Sequence, residues 1–204
     1  MTRVGFIGVL TVFALMLQSN RSYIPTPLVE YVEEYTSIKY KKPITSLIYV
    51  GTNRQKLYLI KNHQLVRTFD VSTSKYGVGQ EHKSEKTPLG LHKISSKIGK
   101  TCPIGGILVG SNFTGKMAVI ENNPVSTGTD DLTSRAMRLD GMEQGVNMEG
   151  KNSTHLREIY IHGTPEEGLI GKPASHGCIR MRNKDVIELF DLVDVNCYVL
   201  ILEN

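Results

Sequence analysis

Short β-strands separated by tight turns dominate the sequence beyond residue 46. The runs Leu47–Val50, Leu57–Ile60, Leu65–Val71 and Leu89–Ile94 are rich in branched and aromatic residues, with Gly, Asn and Ser between them. Short apolar runs bounded by such turn residues are typical of strands joined by hairpins. The chain is therefore predicted to be mainly β, as a β-sandwich or a partly closed barrel with a few short helices.

Two helices are predicted around these strands. Thr26 can cap the first helix, Pro27 suits its first turn, and apolar residues then recur with helical spacing. This makes residues 23–45 a short helical entry segment. The second helix is expected to begin at the cap residue Asn183, and Tyr198–Leu202 is expected to form a closing strand.

The first residues have the pattern of an export signal. Arg3 precedes residues 4–17, an uncharged and largely apolar run. At about 1.5 Å per helical residue this run is too short to cross a hydrocarbon core of about 30 Å. The pattern predicts a signal peptide or an N-terminal anchor in residues 1–22. Both interpretations stay open, because Leu17 stands where a signal that ended at Ser19 would need a small residue. The remaining chain is expected in the periplasm or cell wall, with membrane contact only through residues 4–17 if they stay uncleaved.

Composition narrows the classes of function. Lys and Arg number 24 and Asp and Glu 20, so the net charge of +4 is small, and it is spread without a basic run. Nucleic-acid binding is therefore not expected. Hydrophobic residues make up 40% of the 204 residues, which suits one packed domain, placed here at residues 46–204. Cys102 and Cys197 are interpreted as core residues or as a disulfide with each other.

Residues 99–155 form an insertion in this domain. The segment is rich in Gly, Asn, Ser and Thr and is weakly periodic. Because a segment of this length is uncommon as an idle loop, it is expected to build or cover a binding site, the alternative being a decorated β-meander. If it forms a lid, Asn147, Arg135 and Tyr160 are candidate contacts.

The clearest chemistry lies between His162 and Arg182. His162-Gly163-Thr164 ends a predicted strand, and Ser175-His176-Gly177-Cys178-Ile179-Arg180-Met181 follows. A cysteine nucleophile, a histidine base on another element and backbone N–H groups at a glycine make a thiol acyl-transfer centre. Nearby cations and a helix start are expected to lower the pKa of the Cys178 thiol. These cations are His162, His176, Arg180 and Arg182.

Two other chemistries are weaker alternatives. A zinc site formed by His162, His176 and Cys178 lacks a fourth ligand at a familiar spacing. A thiol oxidoreductase is disfavoured because the sequence contains no Cys-x-x-Cys. We therefore predict neither a metal nor another cofactor.

The motifs resemble the catalytic domain of the L,D-transpeptidases of the YkuD type. The resemblance extends over residues 46–202, with Ser74 standing where many relatives have Gly, and with no short motif covering 99–155. The segments that carry it are His162-Gly163-Thr164, Ser175–Met181, Leu57-Tyr58-Leu59 with Gln64–Phe69, and Lys86-Thr87-Pro88-Leu89-Gly90.

The resemblance implies a role for each matching residue. Cys178 is the nucleophile, and His162 is its general base and later the general acid. The loop and its oxyanion-binding N–H groups are assigned to Ser175, His176, Gly177 and Cys178. The candidate substrate contacts are Arg180, Gly163 and Tyr160. Arg180 is expected either to hold a substrate carboxylate or to pair within the fold.

The function that the resemblance implies is L,D-transpeptidation of peptidoglycan stem peptides. The acyl-enzyme thioester would release the terminal D-alanine and pass the acyl group to an amine, forming a 3-3 cross-link or attaching a protein. One alternative is an L,D-carboxypeptidase that trims tetrapeptide stems to tripeptides, and another is a peptidoglycan-binding module without turnover. The protein is expected to act as a monomer on a tetrapeptide donor.

Overall fold

The computed structural model describes residues 26–204, which form a ten-stranded sheet and two α-helices. The predicted signal or anchor in residues 1–22 lies outside the described residues. No helix in the described part of the chain is long and apolar enough to span a membrane. The helices are α1 (Pro27–Tyr40) and α2 (Asn183–Leu192). The strands are β1 (Leu47–Gly51), β2 (Lys56–Lys61), β3 (Gln64–Asp70), β4 (Gly90–Ile98), β5 (Gly106–Val109), β6 (Asn112–Met117), β7 (Leu132–Gly141), β8 (Tyr160–Gly163), β9 (Ile179–Met181) and β10 (Tyr198–Leu202).

The strands follow the order β3-β2-β1-β10-β4-β7-β5-β6, and β8 and β9 branch from β7. β1 pairs in parallel with β10, and β8 pairs in parallel with β9. Among residues 26–204, the outermost strands β3 and β6 do not pair with each other, so the sheet is not closed. The prediction of a mainly β fold with few helices is confirmed.

Both faces of the central strands are covered. Along β1, Ile48 and Val50 face the main core, whereas Leu47 and Tyr49 face a second apolar cluster. The main core includes side chains of α2, β8 and β9, and the second cluster includes the buried face of α1. Burial on both faces explains why the sequence of β1 is a continuous apolar run and not an alternating one.

The predicted first helix is present with its predicted cap. The Thr26 hydroxyl accepts a hydrogen bond from the Val29 amide at 3.4 Å, and Pro27 occupies the first turn. Lys41, with a left-handed φ of 61°, ends the helix. Val29 and Val32 are fully buried, so the entry segment packs against the sheet.

The segment 99–155 contributes three strands, β5, β6 and β7, to the sheet. Within it, β7 pairs with β4, β5 and β8. Residues 118–131, here called the strap, connect β6 to β7 without regular secondary structure. Two predicted lid contacts are corrected, because their side chains hold the fold. Asn147 is buried and donates to the Leu89 and Leu91 carbonyls, and Arg135 donates to the Cys102 carbonyl.

One open alternative is decided, and one local prediction needs correction. Cys102 and Cys197 are both free thiols in the structure of residues 26–204, which favours core residues over a disulfide. Cys102 is buried, and Cys197 lies half-buried against the main core in the turn before β10. Asn183 is the first residue of α2, and Arg182 holds the cap position. The Asn183 amide instead donates to the Thr164 carbonyl at 2.9 Å, because the side chain is buried against the end of β8.

Candidate active site

The Cys178 thiol lies immediately before β9 and is tied to β8. The Tyr160 amide donates to Cys178 Sγ at 3.3 Å, and Sγ lies 3.5 Å from the Glu158 carbonyl oxygen. Although the residue as a whole is half-buried, these contacts hold Sγ against the backbone at the start of β8.

The expected lowering of the thiol pKa is wrong. Burial raises the pKa of Cys178 to about 12, outweighing the Tyr160 amide and the charge of Arg180. The strand β9 separates Cys178 from α2 along the chain, so Cys178 is not in the first turn of that helix. Arg182 is also engaged elsewhere, since its Nη1 lies 3.3 Å from an oxygen of Asp70. The resting thiol is therefore protonated at neutral pH and needs a base.

His162 is a neutral imidazole whose Nε2 can accept a proton, as such a base requires. It is buried in β8, and its Nδ1 lies 2.8 Å from the Gly163 carbonyl oxygen. Because a carbonyl only accepts, Nδ1 carries the proton and Nε2 offers its lone pair. Among the described residues, this Nε2 has no hydrogen-bond partner. Burial holds the pKa of His162 below its ordinary value, which keeps the imidazole neutral.

Strand pairing brings the segments that carry the two residues together. Across the parallel β8–β9 ladder, Ile161 pairs with Ile179 and His162 pairs with Arg180. Cys178 directly precedes Ile179, and its Sγ accepts from the amide of Tyr160, which stands two residues before His162. Cys178 therefore lies beside β8, the strand that carries His162.

The loop that carries Cys178 is held by hydrogen bonds to two of its backbone carbonyl groups. Ser175 Oγ donates to the Cys178 carbonyl at 2.6 Å, and Thr87 Oγ1 donates to the Gly177 carbonyl at 3.0 Å. Gly177 adopts a φ of 125°, which side chains rarely allow, and an added Cβ would lie 3.2 Å from Ile159. Thr87 thus gives the upstream Thr-Pro segment a structural role in the site.

Only one of the two expected oxyanion donors is free. The Gly177 N–H already donates to Ser175 Oγ at 3.2 Å. The Cys178 N–H has no acceptor among the hydrogen bonds of residues 26–204. A free backbone N–H at the nucleophile itself is suited to bind a developing oxyanion.

Arg180 pairs within the fold, which is the second of its two expected roles. Its side chain is 1% exposed and donates to Glu166 at 2.8 Å and to Asp130 at 2.6 and 2.9 Å. Asp130 comes from the strap, and its second oxygen lies 2.7 Å from Nδ1 of His176. His176 is exposed and lines two cavities of about 290 and 190 Å³.

The other expected substrate contacts have local roles as well. Gly163 is buried, and an added Cβ would lie 2.5 Å from the Thr133 carbonyl oxygen, so glycine is needed for close packing. Tyr160 reaches the sulfur through its backbone, while its half-buried ring lies 5.8 Å from the Arg138 guanidinium carbon. No three His, Cys, Asp or Glu side chains in the described chain are grouped as a metal site.

Sequence reasoning missed the acidic side of the site. Asp130 and Glu166 lie far from the Cys motif in sequence and carry no motif of their own. The one available indication was the buried-strand position of Arg180, because a buried guanidinium requires carboxylate partners. Which carboxylates supply them depends on the path of the strap.

A thiol beside the strand of a neutral imidazole, with a free peptide N–H at the thiol, is the arrangement that cysteine-centred acyl transfer requires. The match to known families agrees with this chemistry. The family model of the L,D-transpeptidase catalytic domain, YkuD, matches residues 45–201. The chain therefore belongs to the YkuD family of L,D-transpeptidase catalytic domains.

Curated relatives match over short segments. The chain is 49% identical over 47 residues to YqjB of Bacillus subtilis strain 168, and 64% identical over 33 residues to YkuD of the same organism, both assigned by name to the L,D-transpeptidases. These segments cover 22% and 16% of this chain and 27% and 20% of the relatives. The chain thus matches about a quarter or less of the length of either relative.

Solved structures of the same family are similar over a longer part of the chain. An L,D-transpeptidase from Mycobacterium smegmatis has a TM-score of 0.49 at 15% identity, covering 78% of this chain and 58% of that one. An L,D-transpeptidase from Xylanimonas cellulosilytica has a TM-score of 0.48 at 16% identity, covering 82% and 68%.

Proposed function

We propose that this protein is an L,D-transpeptidase that uses Cys178 to form an acyl-enzyme on peptidoglycan stem peptides. The observation that carries the proposal is the Nε2 of His162, which has no partner among residues 26–204 and belongs to β8, the strand whose Tyr160 amide donates to Cys178 Sγ. Burying an imidazole nitrogen without a hydrogen-bond partner destabilises the fold. A role as the base that takes a proton from the Cys178 thiol is a physical reason for such a nitrogen.

The first half-reaction follows from the resting protonation states. Cys178 Sγ attacks the amide carbon after the third stem residue while His162 Nε2 takes the thiol proton, so a thiolate forms only during the attack. The Cys178 N–H stabilises the oxyanion of the tetrahedral intermediate. When the C–N bond breaks, His162 returns the proton to the departing amine of D-alanine, leaving a thioester on Cys178.

The second half-reaction reverses these roles. An amine from another stem or from a protein attacks the thioester, His162 accepts its proton, and the thiol is restored with the proton returned to sulfur. Because the thioester retains much of the free energy of the amide, no external energy source is required. Water in place of the amine would give the carboxypeptidase product.

We include export in the proposal. Residues 4–17, an apolar run that follows Arg3, support it, and the substrate class lies outside the cytoplasm. Cell fractionation of the full chain tests this part. Recovery in the cytosolic fraction, with an unprocessed N-terminus, would contradict it.

Product analysis tests the activity. The full chain is incubated with disaccharide tetrapeptides, and the muropeptides are separated and weighed before and after. The proposal predicts free D-alanine and muropeptide dimers in which the tripeptide of one stem is joined to an amine of another. Both products should be absent with Cys178→Ala. Tripeptides without dimers would assign the hydrolytic alternative, and an unchanged muropeptide profile would overturn the proposal.

A further inference from the structure

The His176 imidazole is held between two charged partners although it is exposed. Its Nδ1 lies 2.7 Å from an oxygen of Asp130, and its Nε2 lies 3.0 Å from Nζ of Lys75. An ammonium group only donates, so Nε2 accepts and the proton sits on Nδ1, from which it is donated to Asp130. Two directional bonds on opposite ring nitrogens fix the orientation of this side chain.

Asp130 is in turn fixed to a buried anchor. One of its oxygens accepts from Nε and Nη2 of Arg180 at 2.9 and 2.6 Å, and the other faces His176. Arg180 cannot shift easily, because it is buried in β9 and its Nη1 donates to Glu166. Although burial opposes its charge, the Arg180 guanidinium keeps the pKa of Asp130 below its ordinary value.

The strap also binds Glu166, the other carboxylate that pairs with Arg180. The Ser126 hydroxyl and the Thr127 amide both donate to Glu166, at 2.9 and 2.5 Å. The strap therefore presents Asp130 from a defined place, and Asp130 links it to the loop that carries Cys178. Two of the other fixed points of this loop, Thr87 and Ser175, act on carbonyl groups.

We propose that Asp130 is a positioning residue of this active site, which acts through His176 to hold the Cys178 loop in its reactive arrangement. The inference rests on the proposed transpeptidase function. His176 stands two residues before Cys178, so its ring orients the peptide units that lead to the free Cys178 N–H. Displacing such a donor by about 1 Å is enough to slow a reaction on the order of 100-fold. Asp130 touches no reacting atom, and its effect reaches the reaction through the imidazole.

The first experiment measures acylation of the full chain by a disaccharide tetrapeptide. Asp130→Ala is expected to lower kcat for acylation by about tenfold or more while KM changes less than about twofold. Asp131→Ala is the matched control, since Asp131 is the neighbouring strap carboxylate and makes no hydrogen bond or ion pair within residues 26–204. It is expected to leave both constants within about twofold.

Asp130→Asn separates positioning from folding. Arg180 and His176 donate to different oxygens of Asp130, and Asn replaces one of these oxygens with an NH₂ group, which cannot accept. Asp130→Asn therefore loses one of the two contacts but keeps the size of the side chain. We expect Asp130→Asn to lose kcat as Asp130→Ala does while its melting temperature stays closer to that of the unsubstituted protein. Asp130→Asn with full kcat would overturn the inference.

A double-mutant cycle tests the route through His176. In a His176→Ala background, adding Asp130→Ala is expected to lower kcat by less than about twofold further, because the coupled side chain is already absent. An undiminished loss in that background, or equal kcat in Asp130→Ala and Asp131→Ala, overturns the inference alone. Failure of the unsubstituted protein to be acylated at all overturns the proposed function, and this inference with it.

Discussion

The amide nitrogen of Tyr160 lies 3.3 Å from Sγ of Cys178, which places the sulfur at the start of the strand that carries His162. The hydrogen bond ties the loop before β9 to β8, so the thiol and the imidazole are held by one parallel strand pair. Both groups are neutral at rest, because burial raises the pKa of the thiol and lowers that of the imidazole. Reactivity therefore depends on transfer of a proton during attack.

Alkylation of Cys178 is predicted to rise steeply with pH. With its pKa raised to about 12, the thiol is almost fully protonated at pH 7, and each unit of pH increase raises the thiolate fraction about tenfold up to that value. Iodoacetamide labelling between pH 6 and about pH 10, quantified on the Cys178 peptide, measures this. Labelling that levels off below about pH 8 would show instead an activated thiolate. Cys102 and Cys197, whose pKa values are also raised by burial, serve as references on separate peptides.

Gly177→Ala is predicted to slow acylation more than Gly171→Ala. Both glycines have positive φ, 125° and 95°, so both substitutions store backbone strain of about 1–2 kcal/mol. Only at Gly177 does the new Cβ press on Ile159, at 3.2 Å, and only this residue belongs to the Cys178 loop. Acylation rates at matched folded fractions should fall about tenfold or more for Gly177→Ala. Equal rates in the two variants would show that the loop conformation is not needed.

Arg180→Ala is predicted to destabilise the fold strongly. The substitution leaves Glu166, which is buried, without its cation, a loss of about 3–5 kcal/mol for a buried pair. Arg67→Ala, which breaks the exposed pair with Glu188, should cost less than about 1 kcal/mol. Urea unfolding of both variants gives the comparison. Similar free energies of unfolding would mean that the Arg180 network contributes no more than a surface pair.

The fold follows from the sequence where side-chain periodicity is strong. The runs that contain β1, β2, β3 and β10 and the capped helix α1 were predictable, because alternation, turn residues and Thr26-Pro27 all favour the observed structure. In β8, Ile161 belongs to the main core, and the following residue, His162, lies on the opposite face of the strand. These elements are determined by interactions between residues close in sequence, which is why a single sequence predicts them.

The electrostatics of the site were not predictable in the same way. Counting cations near Cys178 suggested a lowered pKa, but the charge of Arg180 is compensated by Asp130 and Glu166, which arrive from distant segments. Burial of the sulfur then dominates. Such compensation depends on tertiary contacts, and a single sequence does not reveal which strap residue reaches the loop.

Acid destabilisation is predicted from His92, which lies outside the active site. Burial lowers its pKa from 6.5 to about 4, so the folded state resists protonation while the unfolded state accepts it. The stability that neutral His92 provides is fully present above about pH 6.5 and is lost as the pH falls towards 4, by about 3 kcal/mol in total. Relative to the unsubstituted protein, His92→Gln should show a shallower decline of unfolding free energy across this window. Parallel declines in the two proteins would contradict the assignment.

The most direct measurement of the account is the mass of the full chain after brief incubation with a tetrapeptide stem, followed by peptide mapping. The predicted result is one added tripeptide acyl group on Cys178, formed also by Cys102→Ser and Cys197→Ser and absent from Cys178→Ala. His162→Gln should form the adduct at least about 100-fold more slowly, because proton transfer then lacks its base. An adduct that persists in Cys178→Ala, or that lies on another residue of the unsubstituted protein, would contradict the assignment of Cys178 as the nucleophile.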